Sequence, residues 1–230
     1  MTNETHPSVI VVWAALIAAV SVVPTVPILF TGGTFSLASA LLPLAGVFFG
    51  PVKGAMCAAI GQLVGQFIAP HTAWLGVLTF VVGMTNAYVA GNASHGRWLP
   101  AVSVILVGAA LWYTNPIGRQ VPLFPVVFYG AGLVAAVVGS LWGGNAISSR
   151  HPVVAGAGVW FCAFAGFVGA AAVGNYLGLL LLRIPAKVWS VLVFVSPVER
   201  AVFSLGSAVV GVALIRGLRK MGVQVGPRPD

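Results

Sequence analysis

The chain has 230 residues, 59% apolar and 6% charged, with eleven Lys and Arg against three acids and a net charge of +8. A soluble domain carries roughly 25% charged residues, so too few remain here to cover a water-facing surface. A soluble globular enzyme and a disordered chain are both excluded.

The bases stand singly between apolar runs. That argues against a nucleic-acid surface and for loops sorted across a bilayer. Eight apolar stretches are expected, at roughly 8–30, 36–50, 54–69, 73–93, 99–114, 122–146, 152–182 and 198–218. Alternating strand patterns are absent. In lipid the backbone must satisfy its own hydrogen bonds, so these stretches read as helices and not as a β-barrel. The expectation is a single all-α integral membrane domain over residues 1–230, a bundle of six to eight transmembrane helices.

The first seven residues carry no positive n-region, so stretch one is expected to be a permanent span and not a cleaved signal. It contains Trp13-Ala-Ala-Leu-Ile-Ala-Ala19. Ala14 with Ala18, and Ala15 with Ala19, make two small-x-x-x-small pairs, a smooth face for internal packing or for a partner helix. Thr31-Gly-Gly-Thr34 breaks the chain before stretch two.

Stretches two and three are short. Fifteen helical residues reach about 22 Å against a hydrocarbon core of about 30 Å. They meet at Gly50-Pro-Val-Lys-Gly54. In stretch three Gln62 and Gln66 are four apart and share a helix face. Pro70-His-Thr72 follows, with His71 near the same end as Gln66.

Stretch four carries Asn86 and ends at Ser94-His-Gly-Arg97. Stretch five closes on Trp112 and Tyr113, then Asn115-Pro-Ile-Gly-Arg119. Stretch six holds Asn145 and ends at Ser148-Ser-Arg-His-Pro152. Stretch seven, with Asn175 and Tyr176, is too long for one straight span. After Arg183-Ile-Pro-Ala-Lys187, stretch eight begins beside Glu199 and Arg200, read as the outer start of the last helix. Cys57 and Cys162 lie inside apolar runs as small core residues. Gly46-x-x-x-Gly50, Gly61-x-x-x-Gly65 and Gly174-x-x-x-Gly178 mark packed helices.

Loop charges set an orientation. With the N-terminus inside, inner loops and tail hold Lys53, Arg97, Arg150, Arg216, Arg219, Lys220 and Arg228. Outer loops hold Arg119, Arg183 and Lys187, with Arg200 near an outer helix start. Both termini are therefore expected in the cytoplasm.

Catalysis has no support. There is no G-x-x-x-x-G-K-[ST], H-E-x-x-H or C-x-x-C, so no P-loop ATPase, metalloprotease or zinc site is indicated, and no cofactor or metal. No carboxylate is expected mid-span, which speaks against a proton relay. What remains is a set of neutral polar groups. Each buried amide is either glue between helices or part of a pocket for a small polar ligand. In the pocket reading Thr34, Gln62, Gln66, His71, Trp112, Tyr113, Asn115, Arg119, Asn175 and Tyr176 line an outward cavity closed by Thr31–Ser36.

The sequence resembles the substrate-binding S components of energy-coupling factor (ECF) transporters. The resemblance rests on the alanine face of stretch one and on the run from Thr34 through Phe49-Gly-Pro-Val-Lys-Gly54, where two short helices meet at a Gly-Pro-x-x-Gly hairpin. It also rests on a closing helix, Pro197-Val-Glu-Arg-Ala201 to Arg216-Gly-Leu-Arg-Lys220, with a basic end. It covers residues 8–93 and 197–220. It implies a multi-pass subunit of a prokaryotic cytoplasmic membrane that binds a vitamin or similar micronutrient from outside. It also implies a transmembrane T component and two ATPase subunits as partners. In that family the face of Ala14, Ala15, Ala18 and Ala19 contacts the T component, and the first outer loop caps the pocket. Two departures stand out: the family usually has six spans against up to eight here, and the Met-His start of its metal-binding branch is absent. A self-contained secondary transporter or channel is the alternative, though neither coupling-ion ligands nor inverted halves are visible. A non-transporting membrane scaffold subunit is the other.

Overall fold

Proline opens the helices of this chain. Pro51, Pro116, Pro125 and Pro152 each stand in the first helical positions, where a missing N–H costs nothing and the fixed φ suits the helix. The computed structural model describes residues 7–28, 31–221 and 225–227.

Helix α1 (Pro7–Val20) leads into a two-stranded hairpin, β1 (Pro24–Pro27) and β2 (Thr34–Ser36). The strands are antiparallel, pairing Val26 with Phe35 and Pro27 with Thr34, with an irregularity between Pro24 and Val26. A 3₁₀ turn (Leu37–Ala40) precedes α2 (Leu42–Phe49) and α3 (Pro51–Ile68). An extended segment, Trp74–Val77, then leads to α4 (Thr79–Ser94), α5 (Trp98–Thr114) and the short α6 (Pro116–Gln120). The next helix is continuous from Pro125 to Ser148. It has π-helical turns at Pro125–Tyr129 and Gly139–Gly143, with α7 (Gly130–Val138) between them and α8 (Gly144–Ser148) at the end. Helices α9 (Pro152–Leu181) and α10 (Ala186–Lys220) complete the bundle.

The described residues are thus nearly all helical. Three helices are long and apolar enough to cross a bilayer by themselves: Pro125–Ser148, α9 and α10. Two expectations change here. Stretch three is a full 18-residue helix, about 27 Å long, whereas stretch two resolves into the 3₁₀ turn and an eight-residue helix of about 12 Å. Every residue of α2 is buried. The elbow between α2 and α3 is Gly50, at φ +82°, a conformation that favours glycine.

The second change concerns α10. It runs 35 residues straight through Pro197, so Glu199 and Arg200 lie in mid-helix and not at an outer helix start. A proline breaks an isolated helix by removing one N–H. In a packed bundle neighbouring helices hold the turn together, and here α10 lies along α9. Glu199 therefore lies inside a helix and not at its start.

Helix α9 is the centre, with α4, α5, α7, α8 and α10 packed on it. Glycines set the closest approaches. Gly61 and Gly65 of α3 receive α1: a Cβ at Gly61 would strike Ala14 and Ile17, and one at Gly65 would strike Ser21. Gly46 lies directly on the Ala87 carbonyl of α4. Ala14 and Ala18 are consequently buried, while Ala15 and Ala19 are exposed.

The bundle has two chemically different ends. At one end the helix junctions carry Lys53, Arg97, Arg150, Arg216, Arg219 and Lys220. There Arg216 donates to the Arg150 carbonyl at 2.6 Å. The Gly226 N–H donates to Phe48 at 3.3 Å, and Ser148 Oγ donates to Pro227 at 3.2 Å. The opposite end carries the β-hairpin, residues 70–77, Arg119, Arg183 and Lys187. Residues 1–6 and 228–230, and with them both termini and Arg228, lie outside the described residues.

Candidate functional site

Near the hairpin end the helices enclose a cavity of about 320 Å³. Both strands form one wall through Val26, Pro27, Thr34, Phe35 and Ser36. Ser39 and Leu42 border it from the α2 side, Gln62 from α3, and Thr79, Gly83 and Asn86 from α4. Helix α9 contributes Phe167 and Asn175, and α10 contributes Trp189, Ser196, Glu199 and Arg200.

Trp74 lies in this wall because α9 makes room for it. Its ring rests over Gly174, where a Cβ would stand 3.3 Å from the indole, and near Gly178. This glycine pair therefore holds a side chain, whereas Gly61 and Gly65 hold a helix.

The polar groups of the cavity are unusually short of partners. Thr34 Oγ1, Gln62 Oε1, Asn86 Oδ1 and Arg200 Nε are all buried without a hydrogen bond among the described residues. A buried, unsatisfied polar atom costs about 1–3 kcal/mol, so four on one set of walls suit a cavity built to hold a polar ligand. Asn175 is partly engaged, donating to Tyr129 Oη at 3.3 Å. Arg200 stands 3.9 Å from Glu199, and its guanidinium lies 4.3 Å from the centre of the Phe35 ring. A cation and an anion side by side leave the cavity close to neutral overall.

Of the residues named from the sequence, Thr34, Gln62 and Asn175 meet in this wall. Thr31, Thr34, Phe35 and Ser36 of the expected cap also line it. The others are elsewhere. Gln66 lies one turn further along α3 and donates to the Val77 carbonyl at 3.2 Å. His71 is half-buried beside the wall, with Nε2 unpartnered among the described residues. Trp112 is fully buried, with Nε1 donating to Gly118 at 2.8 Å, and it stacks on Phe124 at 4.6 Å. Tyr113 is exposed and donates to Pro122 at 2.9 Å. Asn115 caps α6, accepting from the Ile117 N–H at 2.9 Å. Arg119 is exposed. Tyr176 faces a separate apolar hollow of about 470 Å³ between α4, α5 and α9. The loop after α5 is therefore occupied by its own aromatic packing and capping, and it does not reach the cavity.

Sequence reasoning missed Glu199 and Arg200 because Pro197 suggested a helix boundary. Asn86 stood out as a buried amide with nothing to separate glue from ligand. Trp74 and Trp189 carried no signal, since an indole in an apolar run is ordinary core.

Comparison with known proteins bears on the N-terminal part of the chain, somewhat under half of it, which builds much of this wall. Residues 5–110 match the family model of the ECF-type riboflavin transporter, S component. The resemblance to ECF S components holds. That family is one of membrane transporter subunits. The S-component match spans α1 to most of α5, hairpin and elbow included. An uncharacterized protein of Methanocaldococcus jannaschii is 25% identical over 85 residues, which are 37% of this chain and 29% of that protein. The chain thus matches less than a third of that relative's length. No solved structure matches the chain.

Proposed function

We propose that the chain is the substrate-binding subunit of an ECF-type importer and takes riboflavin, or a vitamin with a similar flat heteroaromatic ring, from the outer side of a prokaryotic cytoplasmic membrane. The observation that carries this reading is the set of unpartnered polar atoms on Thr34, Gln62, Asn86 and Arg200 around one cavity. Trp74, Trp189, Phe35 and Phe167 supply aromatic surface in the same walls. Rings stack on aromatic faces, and a few fixed polar groups orient the edge. The volume lies at the lower end of the range for small-molecule sites, roughly 300–1,000 Å³. The riboflavin assignment draws on the name of the matching family.

The chain crosses the membrane eight times, the 3₁₀ turn and α2 together forming the shortest pass, with both termini in the cytoplasm. The collection of bases at the end opposite the hairpin supports this orientation. Energy comes from a T component with two ATPase subunits. The exposed pair Ala15 and Ala19 supports a close helix contact on α1.

Flavin fluorescence tests the substrate. Riboflavin added to the purified protein in detergent should be quenched saturably with one-to-one stoichiometry, while thiamine and biotin should not compete. Failure of riboflavin to bind overturns the substrate assignment.

A further inference from the structure

Phe35 joins the hairpin to α10. Phe35 of β2 sits between two α10 side chains one turn apart. The Arg200 guanidinium lies 4.3 Å from its ring centre, and the Phe203 ring meets it edge-on at 5.4 Å. On its own side β2 is firmly placed. The Phe35 carbonyl accepts from Thr25 Oγ1 at 2.9 Å, and the Leu37 N–H donates to Val23 at 2.9 Å. Phe35 thus moves with the hairpin, whereas Arg200 moves with the longest helix of the bundle.

Arg200 is otherwise poorly held. Its Nε has no partner among the described residues, and Glu199 lies at the long limit of an ion pair, 3.9 Å. A guanidinium removed from water in this way interacts more strongly with an aromatic face. Both Phe35 and Arg200 line the cavity, so the contact lies on the boundary between cap and chamber.

We infer that the Phe35–Arg200 contact is the tie that keeps the hairpin over the cavity, and that its rupture admits solutes to the chamber. Arg200 therefore acts as a positioning residue for the cap. Breaking the tie speeds ligand entry as well as exit. A residue that only contacted ligand would instead alter exit alone. The kinetic part rests on the riboflavin reading, but the tie itself does not.

A ligand-free experiment separates the two. Ser39 is buried in the cavity wall, and Ser39→Cys places a reporter thiol there. The native Cys57 and Cys162 are fully buried, and the parent protein serves as the blank. Labelling by a membrane-impermeant maleimide is followed in intact apo protein carrying Phe35→Leu, Arg200→Gln, or both. Each single change should accelerate labelling roughly two- to thirtyfold, the range set by a cation–π contact. The double variant should be no faster than the faster single one, because either change breaks the same tie. Arg200→Lys and Phe35→Tyr retain a cation and a ring and should label near the parent rate. Unchanged labelling in both single variants overturns the tie, as does simple multiplication of their effects. If Arg200→Lys labels as fast as Arg200→Gln, the cation–π assignment fails. Riboflavin titration of the parent protein reports on the substrate independently.

Discussion

Gln62 and Asn86 each bury an amide oxygen that nothing among the described residues satisfies. Gln62 fits only because Gly83 lacks a Cβ, and Asn86 lies against Gly166 in the same way. A side chain with no internal partner contributes little to folding by hydrogen bonding, so its loss should be felt mainly by the ligand. Gln62→Ala and Asn86→Ala should each weaken riboflavin binding by about 0.5–1.5 kcal/mol, measured by fluorescence titration. Arg119→Ala should bind like the parent, because Arg119 is exposed and is not part of the cavity wall. Loss of affinity in Arg119→Ala together with normal affinity in both amide variants would move the site to the loop after α5. Gln62 and Asn175 were visible in the sequence as amides inside apolar stretches, and Thr34 as part of the first loop expected to cap the pocket. Trp112, Tyr113 and Asn115 look the same in one dimension. Only three-dimensional packing shows that the Trp112 indole donates to Gly118 and that Asn115 is consumed as a helix cap.

Helix α1 shows how one stripe of small residues divides into two faces. The alanine spacing announced a smooth surface, but spacing alone cannot assign a surface to the inside or the outside. In the fold Ala14 and Ala18 face the Gly61 and Gly65 notch of α3, leaving Ala15 and Ala19 open. The two pairs should therefore fail differently. Ala14→Leu with Ala18→Leu forces α1 away from α3, and overpacking of this kind costs about 1–3 kcal/mol or more. This variant should unfold at a lower temperature in detergent. Ala15→Leu with Ala19→Leu should leave unfolding and riboflavin affinity near the parent values, yet prevent co-purification with a T component. Normal stability of the first variant would show that α1 does not seat on α3 as described. Helix α2 gives a similar case. Gly46 lies on the Ala87 carbonyl, so Gly46→Ala must push the two helices apart. Thermal unfolding should show a loss of about 1–3 kcal/mol. The elbow at Gly50 and Pro51 was legible because glycine and proline punctuate the chain. The continuity of α10 was not, because Pro197 gives the same signal in a loop as in a helix supported by its neighbours.

At the scale of the whole molecule, charge and cavity occupy opposite ends. Lys53, Arg97, Arg150, Arg216, Arg219 and Lys220 gather at the junctions away from the hairpin, drawn from four separate regions of the sequence. The cavity is bordered by the hairpin, Thr72 and Ile184 at the other end. Positive loops tend to stay in the cytoplasm, and the proposed orientation, with the cavity facing outward, rests on that rule. Single cysteines at Arg97 and Arg150 should resist an impermeant thiol reagent applied to whole cells, and one at Gly32 should react. Reaction at 97 or 150 from outside would reverse the molecule and aim the cavity at the cytoplasm. The same polarity bears on energy. No P-loop occurs in the chain, and the single acid among the described residues, Glu199, sits beside Arg200 in the cavity wall. Nothing in such a chamber couples the ligand to ATP. Isolated protein in liposomes should therefore bind riboflavin at the outer face without accumulating it. Co-reconstitution with a T component and its ATPases should give ATP-dependent accumulation, which Ala15→Leu with Ala19→Leu abolishes while surface binding persists. Concentrative uptake by the chain alone would remove the need for partners and identify a self-contained transporter.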